Sequence, residues 1–558
     1  MKNKLKKLVD QALPKILSEL GFVDLAPGNV RYEIELPKVK AHGDLSVNLA
    51  FQLGRMRRRN PLEIAAACEK VLKKTVQAND SWRNWVKEIT VEKPGFINFR
   101  LTEQSLASQL LDISRLDQDF GRAQIGSGIR VLIEFVSANP TGPLTIAHGR
   151  QAAIGDTLAR ILKAVGYEVH KEFYLNDSGR QIRLLGESLW VRYRELFGKK
   201  EPLPEDGYQG AYLIDLAKAL KQEMGDKLLS AGKDKSLETI TAYAVKSILI
   251  EMRKDLEALH VIFDEYFSER FLGEKKLIDR VLKILHEKDL SYEAEGALWF
   301  RSTRFGDDKD RVLKKQSGEY TYLAPDIAYH QSKFERGFQK LVNLWGPDHH
   351  GYVPRLKAAC EALGYSAKQI SILIVQLTTL YRSGEPVRMS TRAGEFVTLR
   401  ELMDEVGIDA ARFFFLMRKT ESHLDFDLEL AKQKSEENPV YYLQYAYARI
   451  SSILVYAERS VEQDVDLSLI QEEEAFDLIK KMSEYPEALT QAAEHLEPYR
   501  IVDYLRELAA LFHKFYTLHR IVSDNQPLTK ARLLLTDCVR IVLRNGLNIL
   551  GVSAPAKM

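Results

Sequence analysis

The chain has 558 residues, of which 45% are hydrophobic and 28% are charged. A chain of this length is too long to fold around a single hydrophobic core, so three to four domains are expected. The composition excludes an intrinsically disordered chain. The formal net charge is only +2, which excludes a globally cationic surface. Any nucleic-acid partner must therefore be bound by local basic patches.

The cysteines and the hydropathy of the chain indicate the cellular compartment in which the protein works. Cys68, Cys360 and Cys538 lie far apart without zinc-ligand spacing, so no structural zinc is expected and a reducing cytoplasm is indicated. The basic N-terminal segment lacks an apolar core and a cleavage site, which favours a helix over a signal peptide. No apolar run is long enough to cross a membrane, so no membrane partner is expected.

Residues 1–115 are predicted to form a separate α+β domain. An amphipathic helix is followed by the strand-like segment VRYEIELP and by a helical pattern that is interrupted at Asn60-Pro61. The segment ITVEKPGFINFRL ends the domain as a strand, a turn and a strand.

Residues 116–395 are predicted to form a doubly wound parallel, Rossmann-like sheet. A βαβ unit is predicted from the strand-like RVLIEFV, a loop, the helical HGRQAAIGDTLARILKAVGY and the strand-like EVHKEFYL. Two more strand-like segments, KLVNLWG and ISILIVQLTTL, follow later in the chain. A helical insertion is expected at about 187–305. From 396 to 558 strand signals almost vanish, so an all-helical domain is predicted.

The first βα loop, residues 137–148, is a candidate anion site. Ligands of doubly wound sheets bind at the carboxyl ends of strands, and a helix N-terminus favours an anion such as a triphosphate. His148 can donate a hydrogen bond to phosphate, and Asn139 offers an amide to a small substrate. A proline-rich, helix-capping connection explains this loop alone equally well.

A second basic loop follows ISILIVQLTTL. Arg388 and Arg392 flank Ser390, and both arginines are suited to stabilise charge on a transferring phosphoryl group. The alternative is a solvated basic turn.

Several ordered motifs match one family. SANPTGPLTIAHGR and VRMSTRAGEFVTLREL resemble the HIGH and KMSKS signatures of class I aminoacyl-tRNA synthetases, in the arginyl version. EFYLNDSGRQI, YTYLAPDIAYHQSKFERG and LWGPDHHGYVPRLKAA are similar to arginyl-specific stretches. Asp409-Ala-Ala-Arg412-Phe resembles the DALR motif, and HGDLSVNLA and KPGFINFRL resemble the N-terminal tRNA-contacting domain. The resemblance covers nearly the whole chain.

This resemblance implies an arginine–tRNA ligase. Arginine would be activated by ATP with Mg²⁺ to arginyl-adenylate and then transferred to the 2′-hydroxyl of the terminal adenosine of its tRNA. A cytoplasmic monomer is the form that the resemblance implies, with residues 396–558 as the anticodon-binding domain.

The resemblance also implies the site residues. The implied catalytic residues are His148, Thr145, Ser390, Arg388 and Arg392. ATP would contact Pro140, Gly142, Leu144, Ala147, His148, Gly346, Asp348, His349, Met389 and Ser390. Arginine would contact Ser137, Asn139, Asn176, Asp177, Gln181, Tyr322, Asp326 and His350.

Two of these assignments have alternatives. The Asp326 carboxylate is suited to a guanidinium, because a carboxylate can accept two parallel hydrogen bonds from this group. The alternative is that Asp326 caps a helix. The adjacent His349 and His350 could bind a metal, although no third ligand has suitable spacing and no metal is expected.

Basic and aromatic groups are candidates for tRNA contact. Arg55 and Arg58 belong to an arginine cluster that could equally be a solvated helix face. Tyr445 could stack on an anticodon base beside Arg449, although tyrosines on an apolar face more often belong to the core.

The first signature departs from the family pattern. His-x-Gly-His is replaced by Thr145-Ile146-Ala147-His148. Losing a transition-state donor costs about 2–4 kcal/mol, so restoring histidine and glycine is expected to raise the rate.

Two other functions remain open at this point. A non-catalytic or slow paralogue that binds tRNA would explain the altered signature, although the second loop, Tyr322 and Asp326 argue against it. A synthetase for another amino acid is disfavoured. A site for cysteine as the substrate would need a zinc cluster, which the three scattered cysteines do not provide. A site for glutamate as the substrate would need cationic side chains at the position of Asp326.

Overall fold

The structure is a computed structural model that describes residues 1–37, 39–387, 397–457 and 461–558. The N-terminal part of the chain forms the expected α+β unit. Its strands pair antiparallel in the order β1-β2-β4-β3. The elements are α1 (Lys2–Glu19), β1 (Ile34–Glu35), β2 (Leu45–Val47), α2 (Leu49–Arg57), α3 (Pro61–Gln77), α4 (Asp80–Arg83), β3 (Val86–Glu92), β4 (Phe96–Leu101), α5 (Glu103–Ala107) and α6 (Gln109–Leu116).

Local chemistry explains the break between α2 and α3. Pro61 occupies the first turn of α3, where its missing N–H is harmless. The Asn60 side chain caps this helix by accepting a hydrogen bond from the Leu62 N–H at 2.9 Å. The predicted interruption at Asn60-Pro61 is therefore confirmed.

A five-stranded parallel sheet forms the centre of the molecule, in the order β12-β11-β5-β6-β7. Helices cover both faces, as a doubly wound sheet requires. The elements are β5 (Arg130–Glu134), α7 (Ile146–Ala164), β6 (Glu168–Leu175), α8 (Gly179–Glu195), β7 (Glu265–Ser268), α14 (Leu323–Glu335), β11 (Lys340–Trp345), α15 (Val353–Leu363) and β12 (Ile370–Ile374).

Further elements lie between and after these strands. Within the predicted insertion are helices, but also β7 of the main sheet and two strands of a small antiparallel sheet. The remaining elements are α9 (Ala211–Met224), α10 (Lys227–Ser230), α11 (Lys233–Ala258), α12 (Arg270–Glu274), α13 (Leu277–Glu287), β8 (Ser291–Ala294), β9 (Ala297–Phe300), β10 (Arg311–Lys314), β13 (Thr378–Arg382), β14 (Glu385–Pro386), α16 (Leu399–Val406), α17 (Ile408–Leu416), β15 (Leu424–Asp427) and α18 (Leu428–Lys432).

The segment ISILIVQLTTL is two strands rather than the single predicted one. β12 belongs to the main sheet, whereas β13 pairs in parallel with β15 in a separate three-stranded sheet. At the break, the buried Arg150 guanidinium donates to the carbonyl oxygens of Gln376 (2.8 Å) and Leu377 (3.2 Å). The Gln376 carbonyl oxygen therefore bonds to a side chain where β12 ends, whereas the Leu377 carbonyl oxygen also accepts from the Leu424 N–H of β15 at 3.1 Å, where the second sheet begins.

Helices dominate the chain beyond β15. They are α19 (Pro439–Tyr456), α20 (Glu473–Ser483), α21 (Tyr485–His495), α22 (Tyr499–Leu518) and α23 (Gln526–Leu550). Both α19 and α22 bury a stripe of apolar residues. In the part of the chain that the structure describes, no helix has the length and apolar character needed to cross a membrane.

Arg412, on α17, connects the helical region to the sheet domain. Its side chain is fully buried, and its guanidinium donates to Asp156 Oδ2 on α7 at 2.8 Å. It also donates to the carbonyl oxygens of Leu550 (3.0 Å) and Leu259 (2.6 Å). One side chain therefore joins α7, the end of α11 and the end of α23.

Three cationic side chains surround the carboxylate of Asp156, the partner of Arg412. Burial alone would raise the pKa of Asp156, but Arg412, Arg160 and Lys171 together lower it to about 2. Arg160 lies 2.8 Å and Lys171 lies 3.0 Å from its carboxylate oxygens. Asp156 is therefore ionised at neutral pH inside the protein.

We expect Arg412→Met to lower the free energy of unfolding by about 3 kcal/mol, since removing one partner of a buried pair leaves charges and carbonyls uncompensated. Urea unfolding followed by circular dichroism measures this loss. Arg382→Met is the matched control, because Arg382 pairs with Glu405 at a half-exposed position, and its loss should destabilise the protein much less. Equal losses in the two variants would contradict the structural role of Arg412.

Candidate active site

A cavity of about 710 Å³ lies at the carboxyl ends of β5, β6 and β11. This is the edge where doubly wound sheets bind ligands. Its lining comes from five separate stretches of the chain. The residues that line it are Glu134, Val136, Ser137, Ala138, Asn139, His148, Gln151, Tyr174, Asn176, Glu269, Tyr322, Pro325, Asp326, Tyr329, His330, Leu344, Trp345, Gly346, Asp348, His349, Tyr352 and Arg355.

Four carboxylates line this cavity: those of Glu134, Glu269, Asp326 and the exposed Asp348. Glu134 is buried and forms a 2.5 Å ion pair with the fully buried Lys333, so its charge is largely balanced. Glu269 accepts a hydrogen bond from the Ser178 hydroxyl at 3.1 Å. Together with Asp326, these groups make the cavity suited to a cationic ligand.

Asp326 lies in the first turn of α14 but does not cap that helix, since Tyr322 is at the capping position and makes no side-chain capping bond. The Asp326 carboxylate instead accepts a 2.7 Å hydrogen bond from the Tyr352 hydroxyl. Burial is the largest cause that raises the pKa of Asp326 to about 7, and the nearby carboxylates of Glu134 and Glu269 raise it as well. The hydrogen bond from Tyr352 and the charge of Lys333 act in the opposite direction. A carboxylate with this pKa gains much from a bound cation.

His148 lies at the start of α7 and faces the same cavity. Its Nδ1 accepts a hydrogen bond from the Thr145 N–H at 3.1 Å, and Thr145 Oγ1 is also 3.1 Å away. Burial lowers the pKa of His148 to about 4, so the ring is neutral at neutral pH. Because Nδ1 accepts, the proton resides on Nε2, which is the donor available to a ligand.

The turn after β5 is strained. Val136 and Ser137 adopt left-handed backbone angles, with φ of 67° and 42°, and such residues cost about 1–3 kcal/mol each. The Ser137 hydroxyl donates to Glu134 at 3.2 Å and accepts from the Tyr174 N–H at 3.1 Å. These bonds hold the start of the loop against its strain.

The structure brings most predicted substrate residues to this cavity, but not all. Those that line it are Ser137, Asn139, His148, Asn176, Tyr322, Asp326, Gly346, Asp348 and His349. Gln181 reaches it indirectly by accepting from the Asn139 amide at 2.7 Å. Asp177 is not part of the lining, because its carboxylate accepts from the Ser268 hydroxyl at 2.7 Å, and the exposed His350 also lies outside it.

The remaining residues of the first loop have other surroundings. Gly142 and Thr145 line a neighbouring cavity, Pro140 and Leu144 are buried, and Ala147 is exposed.

The second predicted loop, with Arg388, Met389, Ser390 and Arg392, lies outside the described residues. The chain that follows it runs beside the first loop. The Leu399 N–H donates to the Leu144 carbonyl oxygen at 2.8 Å, and Thr398 forms an isolated β-bridge with Thr145. The first signature segment and the residues that follow the second loop are therefore neighbours in space.

The sequence analysis missed several residues that line the cavity, among them Glu134, Glu269, Tyr352 and Arg355. One signal was present, because Glu134 directly ends the apolar strand RVLIE. A charge at the carboxyl end of a buried strand points to the ligand-binding edge of the sheet. The other three residues come from loops and helices that only the fold brings to the cavity.

Candidate tRNA contacts lie away from the cavity. Arg55 and Arg58, at the end of α2, are exposed. Arg449 lies over the ring of Tyr445, at 4.5 Å from its centroid, and over that of Tyr516 at 4.8 Å. Tyr445 is half-buried, so part of its ring faces solvent.

Three family models match successive parts of the chain. Residues 3–101 match the arginyl tRNA synthetase N terminal domain. Residues 113–427 match the catalytic domain of class I tRNA synthetases (R), and residues 443–558 match the DALR anticodon binding domain.

Named relatives and solved structures agree with these matches. The chain is 44% identical over 562 residues to arginine–tRNA ligase 1 of Halalkalibacterium halodurans, covering 100% of both chains. It is 46% identical over 529 residues to arginine–tRNA ligase of Bacillus subtilis, covering 94% of each. The fold is similar to that of Thermus thermophilus arginyl-tRNA synthetase, with a TM-score of 0.77 and 23% identity over 100% of both chains.

None of these matches supports the alternative of a paralogue that only binds tRNA. The chain belongs to the arginyl-tRNA synthetase family of class I, and its function is the ATP-dependent ligation of arginine to tRNA.

Proposed function

We propose that the 710 Å³ cavity holds arginine and the reacting part of ATP. The observation that carries this proposal is the convergence of Asp326 and His148 on one cavity. The first group suits the guanidinium, and the second suits a phosphate. A cavity with carboxylates at one place and a neutral donor at another fits a cation that must react with a triphosphate.

Asp326 is proposed to accept the guanidinium, with Tyr322 at the rim. Tyr322 is 87% exposed, so its ring is free to cover a bound substrate. Tyr352 fixes the orientation of the Asp326 carboxylate through its hydroxyl. A fixed carboxylate suits the planar fork of guanidinium donors better than a mobile one does.

The other end of arginine is proposed to lie near Asn139 and Asn176. The Asn176 amide is 3.1 Å from Glu269 Oε2, and this carboxylate suits the α-ammonium group. The substrate carboxylate would then lie on the Asn139 and His148 side, where ATP must arrive. Ser137 would support this region through its bond to Glu134.

Catalysis in this proposal is mainly positioning and charge stabilisation. The arginine carboxylate attacks the α-phosphorus of ATP, the bond to the β-phosphate oxygen breaks, and pyrophosphate leaves. ATP enters as its Mg²⁺ complex. His148 Nε2 would donate to the phosphates, with Thr145 beside it and with Gly346, Asp348 and His349 near the nucleoside, while Arg388, Ser390 and Arg392 would bind the leaving pyrophosphate.

We propose that the protein holds no structural zinc. Burial raises the pKa of the Cys68 and Cys360 thiols to about 12, so neither is a ready thiolate ligand. His170, Glu172 and Glu265 lie close enough to share a cation. However, Arg336 already donates to Glu172 at 2.5 Å and to Glu265 at 2.8 Å.

The tRNA is proposed to contact Arg55 and Arg58 on the N-terminal domain and Tyr445 and Arg449 on the helical domain. Tyr445 offers a ring on which an unpaired base can stack, and Arg449 offers a phosphate contact. The protein is proposed to work as a cytoplasmic monomer with domain boundaries near residues 115 and 395. Light scattering that gives a mass other than about one chain of 63.8 kDa would reject the monomer.

The cavity proposal predicts a pH dependence. Arginine binding needs the ionised form of Asp326, whose pKa is about 7 in the free protein because of burial, Glu134 and Glu269. At saturating ATP and tRNA, kcat/KM for arginine should rise about tenfold per pH unit below 7 and level off above it. Asp326→Asn should remove this ionisation and lower kcat/KM by about a hundredfold or more.

The matched control is Asp348→Asn, which removes an exposed carboxylate from the same cavity. It should keep the pH profile for arginine. A profile that is flat between pH 6 and 8 in the unsubstituted protein would overturn the role proposed for Asp326.

The altered signature gives a second prediction. Thr145→His combined with Ala147→Gly restores the family pattern and an additional donor beside the phosphates, so kcat/KM for ATP should rise, by up to about a hundredfold. Aminoacylation at subsaturating ATP measures this. Unchanged or lower activity in a folded variant would mean that the cavity has adapted to threonine and alanine.

A further inference from the structure

A buried lysine lies directly behind the cavity. Lys333, on α14, has a fully buried side chain, and its ammonium group forms a 2.5 Å ion pair with Glu134, which lines the cavity. Lys333 itself is not among the lining residues. It therefore acts on a bound substrate through its neighbours and not by touching it.

Three neighbours match the three N–H bonds of this ammonium group. Lys333 donates to Glu134 Oε2 and, at 3.4 Å, to the side-chain oxygen of Asn343 on β11. The ring of Tyr329 covers the remaining side, with Nζ 4.0 Å from the ring centroid, a contact that stabilises a desolvated cation. A buried ammonium is costly unless it is paired in this way. The enclosure therefore fixes the place of the charge.

A chain of hydrogen bonds runs from Lys333 to the backbone of Asp326. The Asn343 oxygen accepts from Lys333, so the Asn343 amide nitrogen donates to His330 Nε2, at 2.7 Å. Burial and the charge of Lys333 lower the pKa of His330 well below its usual value. The neutral ring then carries its proton on Nδ1, which donates to the Asp326 carbonyl oxygen at 2.8 Å. The turn that carries Asp326 is thus tied to the buried ammonium group.

A second connection runs through Glu134 to the opposite wall of the cavity. The Glu134 carboxylate accepts from Lys333 and also, at 3.2 Å, from the hydroxyl of Ser137 in the strained turn after β5. One buried cation therefore fixes groups on both α14 and β5, the two elements that face each other across the cavity.

The charges around the cavity show what the ammonium group contributes. Lys333 balances Glu134, so Glu269 and Asp326 remain for the two cationic groups of arginine, the α-ammonium and the guanidinium. Without Lys333, the unpaired carboxylate of Glu134 would raise the negative potential at Asp326 and would repel the carboxylate of the substrate. The buried cation thus matches the charge of the cavity to that of its ligand.

We propose that Lys333 is a positioning residue for arginine activation. It keeps Glu134 as a balanced wall of the cavity, and it fixes the turn and the charge state of Asp326. This inference rests on the proposed function, in which the cavity binds arginine and Asp326 accepts the guanidinium.

The test measures kcat/KM for arginine between pH 6 and 9, at saturating ATP and tRNA. Lys333→Met removes the charge, Lys333→Arg keeps it, and Lys333→Met combined with Glu134→Gln removes the whole ion pair. Lys340→Met is the matched control, since Lys340 is an exposed lysine at the amino end of β11. Circular dichroism establishes that each variant is folded.

In Lys333→Met, the acidic limb of the profile should move up by about one pH unit. The reason is that the charge of Lys333 lowers the pKa of Asp326, whereas Glu134, then unpaired, raises it. At pH 7 this displacement alone lowers kcat/KM about fivefold. In the double variant both effects are absent, so the limb should return to near pH 7, whatever the height of its plateau. It should also lie near pH 7 in Lys333→Arg and in the control.

The other groups that act on Asp326 or line the cavity with it are the same in every variant, so the displacement reports on the ion pair. These groups are His148, Glu269, His330, Asp348, His349, Tyr352 and Arg355. If Lys333→Met does not fold, Lys333→Gln gives the same comparison, because glutamine is neutral but retains a donor for Glu134.

Two results would overturn the proposal. One is a neutral variant at position 333 whose kcat/KM is unchanged, or is lowered equally at every pH, since loss of packing alone gives an unmoved limb. The other is a limb displaced as far in the double variant as in Lys333→Met, which would exclude the unpaired Glu134 as its cause. Failure of the proposed function is seen separately, since Asp326→Asn would then leave the KM for arginine unchanged.

Discussion

The position of helix α7 is the constraint on which the rest of the structure depends. His148 begins this helix at the cavity, and two buried arginines hold it. Arg150 donates to four carbonyl oxygens, those of Gln376, Leu377, Lys419 and Ser422. Arg412 binds Asp156 two turns further along. A buried arginine is costly unless its fork of donors finds acceptors, so this arrangement permits little freedom in where α7 lies.

The same two arginines explain how distant parts of the chain meet. Arg150 fixes the place where the chain leaves β12 and enters β13, on the approach to the second signature loop. Arg412 brings the last residue of α23 to α7 through the Leu550 carbonyl oxygen. Asp409, in the same motif, accepts from the Ser553 N–H at 3.0 Å. The motif that opens the helical region therefore also anchors the end of the chain, and the cavity shares one framework with the domain proposed to bind the anticodon.

Much of this fold follows from local patterns, and its exceptions have physical causes. Periodicity and turn chemistry predicted α1, α3, α7, β5 and β6, because each is a stripe or run of apolar residues with a recognisable end. The same reasoning merged β12 and β13, since the carbonyls captured by Arg150 leave no trace in local hydropathy. It also missed β7, whose four residues EYFS are too few to show a period. Glu134 and Glu269 remained hidden because their roles depend on partners such as Lys333, which is 199 residues away in sequence from Glu134.

The altered signature is compatible with the family because the orientation of His148 does not depend on the side chain at position 145. The ring is held by the backbone N–H of Thr145 on Nδ1, and any residue there supplies that N–H. The threonine hydroxyl, 3.1 Å from Nδ1, adds a second neighbour on the same side of the ring. Nε2 therefore faces the cavity as a neutral donor with either histidine or threonine at position 145. The substitution changes how many donors reach the phosphates, but it leaves the retained histidine correctly placed.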